Sequence, residues 1–255
     1  MMPCYNNSRF ILEAIQSVLI QTFEDLELIV VDDASTDGSV ALIESCQDSR
    51  IRLIKNRTNR GIAAVRNQLL DLACGRYLTS LDGDDLYRSQ DKLTNELMLM
   101  SHPRQTATPL IVYSDIELID ALGNVISQAS LNDCPREGLL FQGLLDRTIM
   151  IPRDFLMPAE LAKCVGHYDE SLAIYEDWDY KLRLAQRANF AYTNHVGIGY
   201  RRHGAGLSSA PKAMHEYFRE KIRRKYGIHG FDQSAVGRLR MMMRPSRFFA
   251  STKAA

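Results

Sequence analysis

The sequence predicts an α/β fold built on a mostly parallel, open, doubly wound sheet with helices on both faces. Three observations predict it. Short, continuously apolar runs rich in branched residues alternate with segments of helical period over the first ~110 residues. Two of these runs end in carboxylates, Asp32-Asp33 and Asp82-Gly83-Asp84-Asp85, and ligands of such sheets bind outside the carboxyl ends of the strands. The 255 residues are 45% hydrophobic, enough to bury the core of one decorated α/β domain or of two small ones.

Taken in order, Arg9 to Gln21 places Phe10, Ile11, Ala14, Ile15, Val18 and Leu19 on one helical face, with Asn7 or Ser8 available as N-cap. Leu26 to Val31 (LELIVV) has the composition of a buried parallel strand. A helix over Asp37–Cys46, a strand over Ile51–Lys55 and a helix over Gly61–Ala73 follow. Next come the strand that runs into Asp82 and a helix over Ser89–Met100. Leu110–Asp120 and Val125–Gln128 flank Ala-Leu-Gly-Asn and read as a hairpin. Residues 1–110 thus read as a doubly wound half, 111–209 as a less regular half packed on its edge, and 210–255 as a basic helical extension.

Net charge is zero but unevenly spread: residues 1–200 carry 18 Lys/Arg against 28 Asp/Glu, and residues 201–255 carry 13 against 3. Five scattered cysteines without C-x-x-C spacing suggest neither a zinc site nor a disulfide framework. That pattern, with no signal peptide and no long apolar run, leads to the expectation of a cytoplasmic protein.

The acidic turn in YLTSLDGDDLY has two readings. A solvated Asp-Gly turn needs no function, whereas clustered carboxylates also suit a hard divalent cation. Asp33-x-Ser35-x-Asp37-Gly38-x5-Glu44 fits the calcium-loop pattern of an EF-hand. Its context is wrong, because LELIVV has strand chemistry where an EF-hand needs an incoming helix.

Six stretches occur in order from Pro3 to Ser209: Pro3-Cys4-Tyr5-Asn6, QTFEDLELIVVDDASTDGS, NRGIAAVRN, GRYLTSLDGDD, YEDWDYKLRL and YRRHGAGLSS. Together they resemble the family 2 glycosyltransferases of the GT-A fold. The resemblance implies transfer of a sugar, with inversion, from a nucleotide-sugar donor, usually a UDP-sugar, to a hydroxyl of a glycan or lipid-linked acceptor in cell-surface polysaccharide or glycolipid synthesis. Breaking the anomeric bond builds negative charge on the leaving diphosphate, and a carboxylate-held cation can neutralise it.

Residue by residue, the resemblance gives Asp84 as a ligand of Mn²⁺ or Mg²⁺, with Asp82 facing the ribose or the ion and His203 beside the metal and diphosphate. Asp85 reads either as a carboxylate supporting the ligands from behind or as a helix N-terminal charge. Asp33 matches the uracil-reading carboxylate, and Asp32 reads as structural. Pro3 and Tyr5 match the loop that packs on the base, and Arg66 a basic residue near the nucleotide. Inverting transfer needs a base for the acceptor proton. Asp177 is the expected base, with Glu176 orienting it or binding an acceptor hydroxyl, and Trp178 a sugar-stacking face. Glu176, Asp177 and Asp179 also suit a helix N-terminus on purely structural grounds. The competing functions are a nucleotidyltransferase of related architecture and a non-catalytic module binding calcium or a sugar nucleotide.

Two expectations concern the ends. HEYFREKIRRKYG and GRLRMMMRPSRFF mix basic and apolar residues, which suits peripheral contact with an anionic membrane at about 1 kcal/mol per Lys or Arg. No nucleic-acid motif accompanies the charge. The resemblance also implies an apolar strand of about six residues before Pro3, the first and central strand of the sheet. Only Met1 and Met2 stand there, so the expectation is a truncated first strand, Pro3 and Tyr5 on a loose end, and an upstream apolar segment in the natural polypeptide.

Overall fold

The alternation of side chains along β2 (Leu28–Asp32) explains why helices cover both faces of the sheet. Leu28 and Val30 point into a buried cluster with Ile11, Ala14, Ile15 and Val18 of α1 (Ile11–Leu19) and Ile43 of α2 (Ser39–Ser45). Ile29 and Val31 point the other way, onto Val65 and Leu69 of α3 (Ile62–Leu72). Each such side chain contributes roughly 1.5–3 kcal/mol by leaving water. This computed structural model describes residues 1–101, 108–128, 137–203 and 210–227.

The expectation of a loose N-terminal end is corrected. Met2–Cys4 form strand β1, parallel to β2 with Met2 opposite Val30 and Cys4 opposite Asp32. Its other flank is also held: Leu81 N–H donates to the Met1 carbonyl at 3.0 Å and Gly83 N–H to the Pro3 carbonyl at 3.2 Å. Pro3 is therefore a buried strand residue, not a loop residue, and β1 lies between β2 and the chain leading into the acidic turn. β2 pairs in parallel with β3 (Ile51–Lys55).

The strand expected before Asp82 is only β4 (Tyr77–Leu78), antiparallel to β8 (Met157–Pro158). Beyond it lies a mixed sheet of order β5-β9-β6-β7, made of β5 (Leu86–Tyr87), β9 (Asn189–Arg201), β6 (Leu110–Ile119) and β7 (Val125–Gln128). β6 and β9 are parallel, and β6–β7 is the expected antiparallel hairpin. The remaining helices of this part are α4 (Lys92–Ser101), α5 (Phe141–Asp146), α6 (Ala159–Val165) and α7 (Glu176–Ala185). Neither Asn7 nor Ser8 caps α1 through its side chain; the Asn7 carbonyl accepts from the N–H groups of Phe10 and Ile11 instead.

The chain divides into two compact units, residues 1–203 and 204–255. In the second, α8 (Lys212–Lys225) carries Arg223, Arg224 and Lys225 in its last turn. Phe218 and Ile222 are buried. The GRLRMMMRPSRFF segment lies outside the described residues.

Candidate active site

The loops after β1 and β2 are stitched together at the carboxyl ends of the strands. Asn6 N–H donates to Ser35 Oγ, Asn7 N–H to Ser39 Oγ and Ser8 N–H to Asp37 Oδ2, each at 2.9 Å. Tyr5 stands 44% exposed beside this seam. Asp33 is buried and organises the entry to α3: it accepts from Asn56 Nδ2 at 2.9 Å, from Arg60 N–H at 3.0 Å and from Gly61 N–H at 2.8 Å. Gly61, at φ +87°, takes the left-handed conformation that turn requires. With both Asp33 oxygens engaged, a uracil imide would have to share them. Asp32 is buried and accepts from Ser35 N–H at 3.0 Å, a contact within its own turn. Strand β2 leads directly into Asp33, so the calcium-loop pattern lacks its incoming helix.

The acidic turn packs closely on β1 and α1 at Gly83, where a side chain would have to push its neighbours back by a few tenths of an ångström. A Cβ there would lie 3.0 Å from Ile11 Cδ1 and 3.2 Å from the Pro3 carbonyl. Asp82, Asp84 and Asp85 each bring one carboxylate oxygen within 4.8 Å of the others. Asp84 Oδ2 lies 2.9 Å from His203 Nε2, so the two residues expected at the metal are neighbours, 119 positions apart in sequence. Clustered carboxylate oxygens of this kind suit a hard divalent cation. Asp85 is 1% exposed rather than a solvated helix-end charge; its Oδ1 accepts from Arg201 N–H at 2.8 Å and its Oδ2 from Arg153 at 2.6 Å.

Arg66 joins this turn to the start of α7. Its Nη2 donates to Asp82 Oδ1 at 2.9 Å, its Nη1 to Ser80 Oγ at 3.2 Å, and its Nε lies 3.3 Å from Glu176 Oε1, an ion pair without hydrogen-bond geometry. Asp177, next along, pairs with Lys181 at 2.9 Å, and Lys181 also donates to the Ile151 carbonyl. The Asp177 side chain keeps 25% exposure against 6% for Glu176, so Asp177 is the one an acceptor can reach.

Trp178 is corrected. It is 5% exposed, donates its indole N–H to the Leu144 carbonyl at 2.7 Å, and offers no face to a sugar. Two arginines escaped the sequence reading. Arg153 bridges Asp82 and Asp85, and Arg201 donates to the Asp84 carbonyl at 2.8 Å while pairing with Glu13. Arg201 lies inside the quoted stretch YRRHGAGLSS and had some signal; Arg153, in a Pro-containing break, had none.

The sequence model described as Glycosyl transferase family 2 matches residues 1–152. The chain belongs to this family. It is 30% identical over 223 residues, 85% of its length, to an Escherichia coli (strain K12) protein whose name gives it as a colanic acid biosynthesis glycosyl transferase, WcaA; the match covers 77% of WcaA. It shares the fold of TarS 1–349 of S. aureus in complex with UDP-GlcNAc (TM-score 0.71, 19% identity, 91% of this chain and 67% of that one). It also shares the fold of the mannosyltransferase PcManGT of Pyrobaculum calidifontis in complex with GDP-Man and Mn²⁺ (TM-score 0.65, 18% identity, 92% and 65%). The expected GT-A architecture is the one observed.

Within this glycosyltransferase the two neighbouring carboxylates are set apart electrically. Burial pushes the Glu176 carboxyl up to about 7, with Arg66 opposing and Asp177 reinforcing the shift. Burial also disfavours the Asp177 charge, but Lys181, Arg153 and Arg66 outweigh it and hold that carboxyl well below the usual range. One group titrates near neutrality while its neighbour stays ionised. If ionised Glu176 orients the site, kcat/KM should fall as pH drops through about 7, and Glu176→Gln should flatten that limb. Stability should run the other way. A carboxyl raised in the folded state binds more protons there than when unfolded, so the fold loses stability as pH rises from about 4.5 through 7. A pH–rate profile that keeps the limb in Glu176→Gln would remove the assignment.

Proposed function

We propose that this glycosyltransferase moves a sugar, with inversion, from a UDP-sugar to a hydroxyl of a glycan or lipid-linked acceptor in cell-surface polysaccharide synthesis. One observation carries the reading. The Asp82–Arg66–Glu176 ion-pair chain brings a cation-type acidic turn beside an ionised, reachable Asp177. The colanic acid role in the name of WcaA, and the UDP-GlcNAc bound by TarS, support the substrate class.

In this reading Tyr5 lies against the base, Asp33 takes the uracil imide, and Pro3 holds the strand from which Tyr5 springs. Arg66 and Asp82 face the ribose and diphosphate side. Asp84 and His203, with Asp82, would hold Mn²⁺ or Mg²⁺; a bound cation supplies charge neutralisation for the departing diphosphate. The Mn²⁺ in PcManGT supports a divalent ion there. Asp177 takes the acceptor hydroxyl proton as the oxygen attacks opposite the diphosphate, and Lys181 keeps that carboxylate ionised beforehand. The reading places the protein in the cytoplasm, peripheral at the inner membrane face, with the exposed Arg224 and Lys225 of α8 towards anionic lipid. A nucleotidyltransferase would leave the Glu176–Asp177 pair without a task.

Incubation with a panel of UDP- and GDP-sugars, with and without MnCl₂, tests the reading. Metal-dependent release of UDP, and a product whose anomeric configuration is opposite to the donor's by NMR, are expected; retention would overturn the mechanism. His203→Ala should shift the Mn²⁺ activation curve to higher concentration by about tenfold or more, the loss typical of a metal-site partner. An unchanged curve would remove His203 from the metal.

A further inference from the structure

Arg153 sits in the loop between α5 and β8, and that loop is pinned beside it. The carbonyl of Asp154 accepts from Lys92 Nζ at 2.8 Å and Thr79 Oγ1 at 3.2 Å. From there Arg153 Nη2 reaches Asp82 Oδ2 at 2.8 Å and Asp85 Oδ2 at 2.6 Å. The opposite oxygens of both carboxylates are already taken, Asp82 Oδ1 by Arg66 and Asp85 Oδ1 by the Arg201 N–H. One nitrogen with two hydrogens therefore lies between the two oxygens that Asp82 and Asp85 have left to offer beside Asp84.

We propose that Arg153 is a positioning residue that holds the place of the divalent cation, so that Nη2 and the cation compete for Asp82 Oδ2 and Asp85 Oδ2. This rests on the metal-dependent reading above. Oxygens on opposite sides of a magnesium ion stand about 4.2 Å apart, and one oxygen from each of Asp82, Asp84 and Asp85 lies within 4.8 Å of the others. A guanidinium and a dication cannot share those oxygens, because their charges would meet at contact distance. Without the ion, the arginine keeps two crowded carboxylates from facing each other uncompensated. Its seat is incomplete in a way that favours release. Nε is buried with no partner, the guanidinium rests on the Tyr200 ring at 5.2 Å, and the side chain retains 20% exposure on the open side. Cation entry then draws Arg153 off the turn.

Two measurements on the full chain test this. Mn²⁺ titration followed by EPR of the free ion, with and without UDP, compares wild type with Arg153→Gln. The variant should bind Mn²⁺ about tenfold more tightly without nucleotide, because the ion no longer displaces a cation. In wild type labelled with ¹⁵N-arginine, the Arg153 Nε–Hε resonance, identified by its loss in the variant, should move as MgCl₂ saturates the site. Equal or weaker Mn²⁺ affinity in the variant, or a resonance indifferent to saturating Mg²⁺, overturns the proposal. The wild-type resonance decides even if the variant folds poorly. UDP binding followed separately distinguishes the outcomes: UDP bound without any Mn²⁺ uptake by either protein overturns the metal site and this proposal together, but leaves the nucleotide-sugar reading standing.

Discussion

Asp177→Asn should lower the rate of sugar transfer by about 10²–10⁴-fold, the usual worth of a positioned general base, while leaving donor binding unchanged. The asymmetry follows from the site. Asp177 touches neither the acidic turn nor the loops after β1 and β2; its partner is Lys181 at 2.9 Å, one turn along α7. The amide keeps the shape of the carboxylate but cannot take a proton. Lys181 retains the Ile151 carbonyl as acceptor, so no buried charge is left wholly unpaired. Isothermal titration with UDP and single-turnover transfer separate the two quantities. A variant that transfers at near wild-type rate would end the role of Asp177, and one that loses UDP affinity in proportion would recast it as a binding residue.

Arg66→Met should be the most destabilising single change at the site. The arginine side chain is 4% exposed and lies between Asp82 and Glu176. Burial opposes its charge, yet the two carboxylates more than offset this and strengthen its hold on the proton. Removing it strands buried Glu176 and leaves Asp82 with Arg153 as its remaining charge partner, a loss of about 3–5 kcal/mol. At roughly 2–4 °C per kcal/mol for a chain of this size, Tm should fall by about 10 °C. The loss has a pH signature. Glu176 already holds its proton to about 7, and without Arg66 it holds it longer, so protonation relieves the variant at low pH. The Tm deficit should therefore be smaller at pH 5 than at pH 8. Arg66→Lys should not restore the site, because a point charge cannot reach Asp82, Ser80 and Glu176 from one fork. A melt matching wild type at pH 8 would show that the acids find other partners.

Most of the fold was legible because its signals are local. The branched run LELIVV, the apolar face from Ile11 to Val18 and the Gly61 turn each depend on a few consecutive residues, and β2, α1 and α3 lie within two or three residues of where the pattern set them. The acidic turn and the Glu176-Asp177 pair were legible for the same reason, as dense charge at a strand end and at a helix start. Trp178 was misjudged because exposure is not a property of the residue: only packing shows its indole turned inward onto Leu144. The loose end expected at Pro3 was misjudged because three residues carry no periodicity, and Met2–Cys4 become a short strand only through neighbours on both sides.

Composition, period and turn chemistry by themselves determined that this chain forms a parallel α/β sheet presenting carboxylates at its strand ends. Tertiary structure alone decided how those carboxylates are compensated. Arg153 meets Asp85 across 68 positions, His203 meets Asp84 across 119, and Arg66 spans both acidic motifs. A buried charge has to be neutralised by whichever opposite charge the packed chain delivers to it, and that delivery depends on the path of the whole backbone, which no short stretch of sequence encodes.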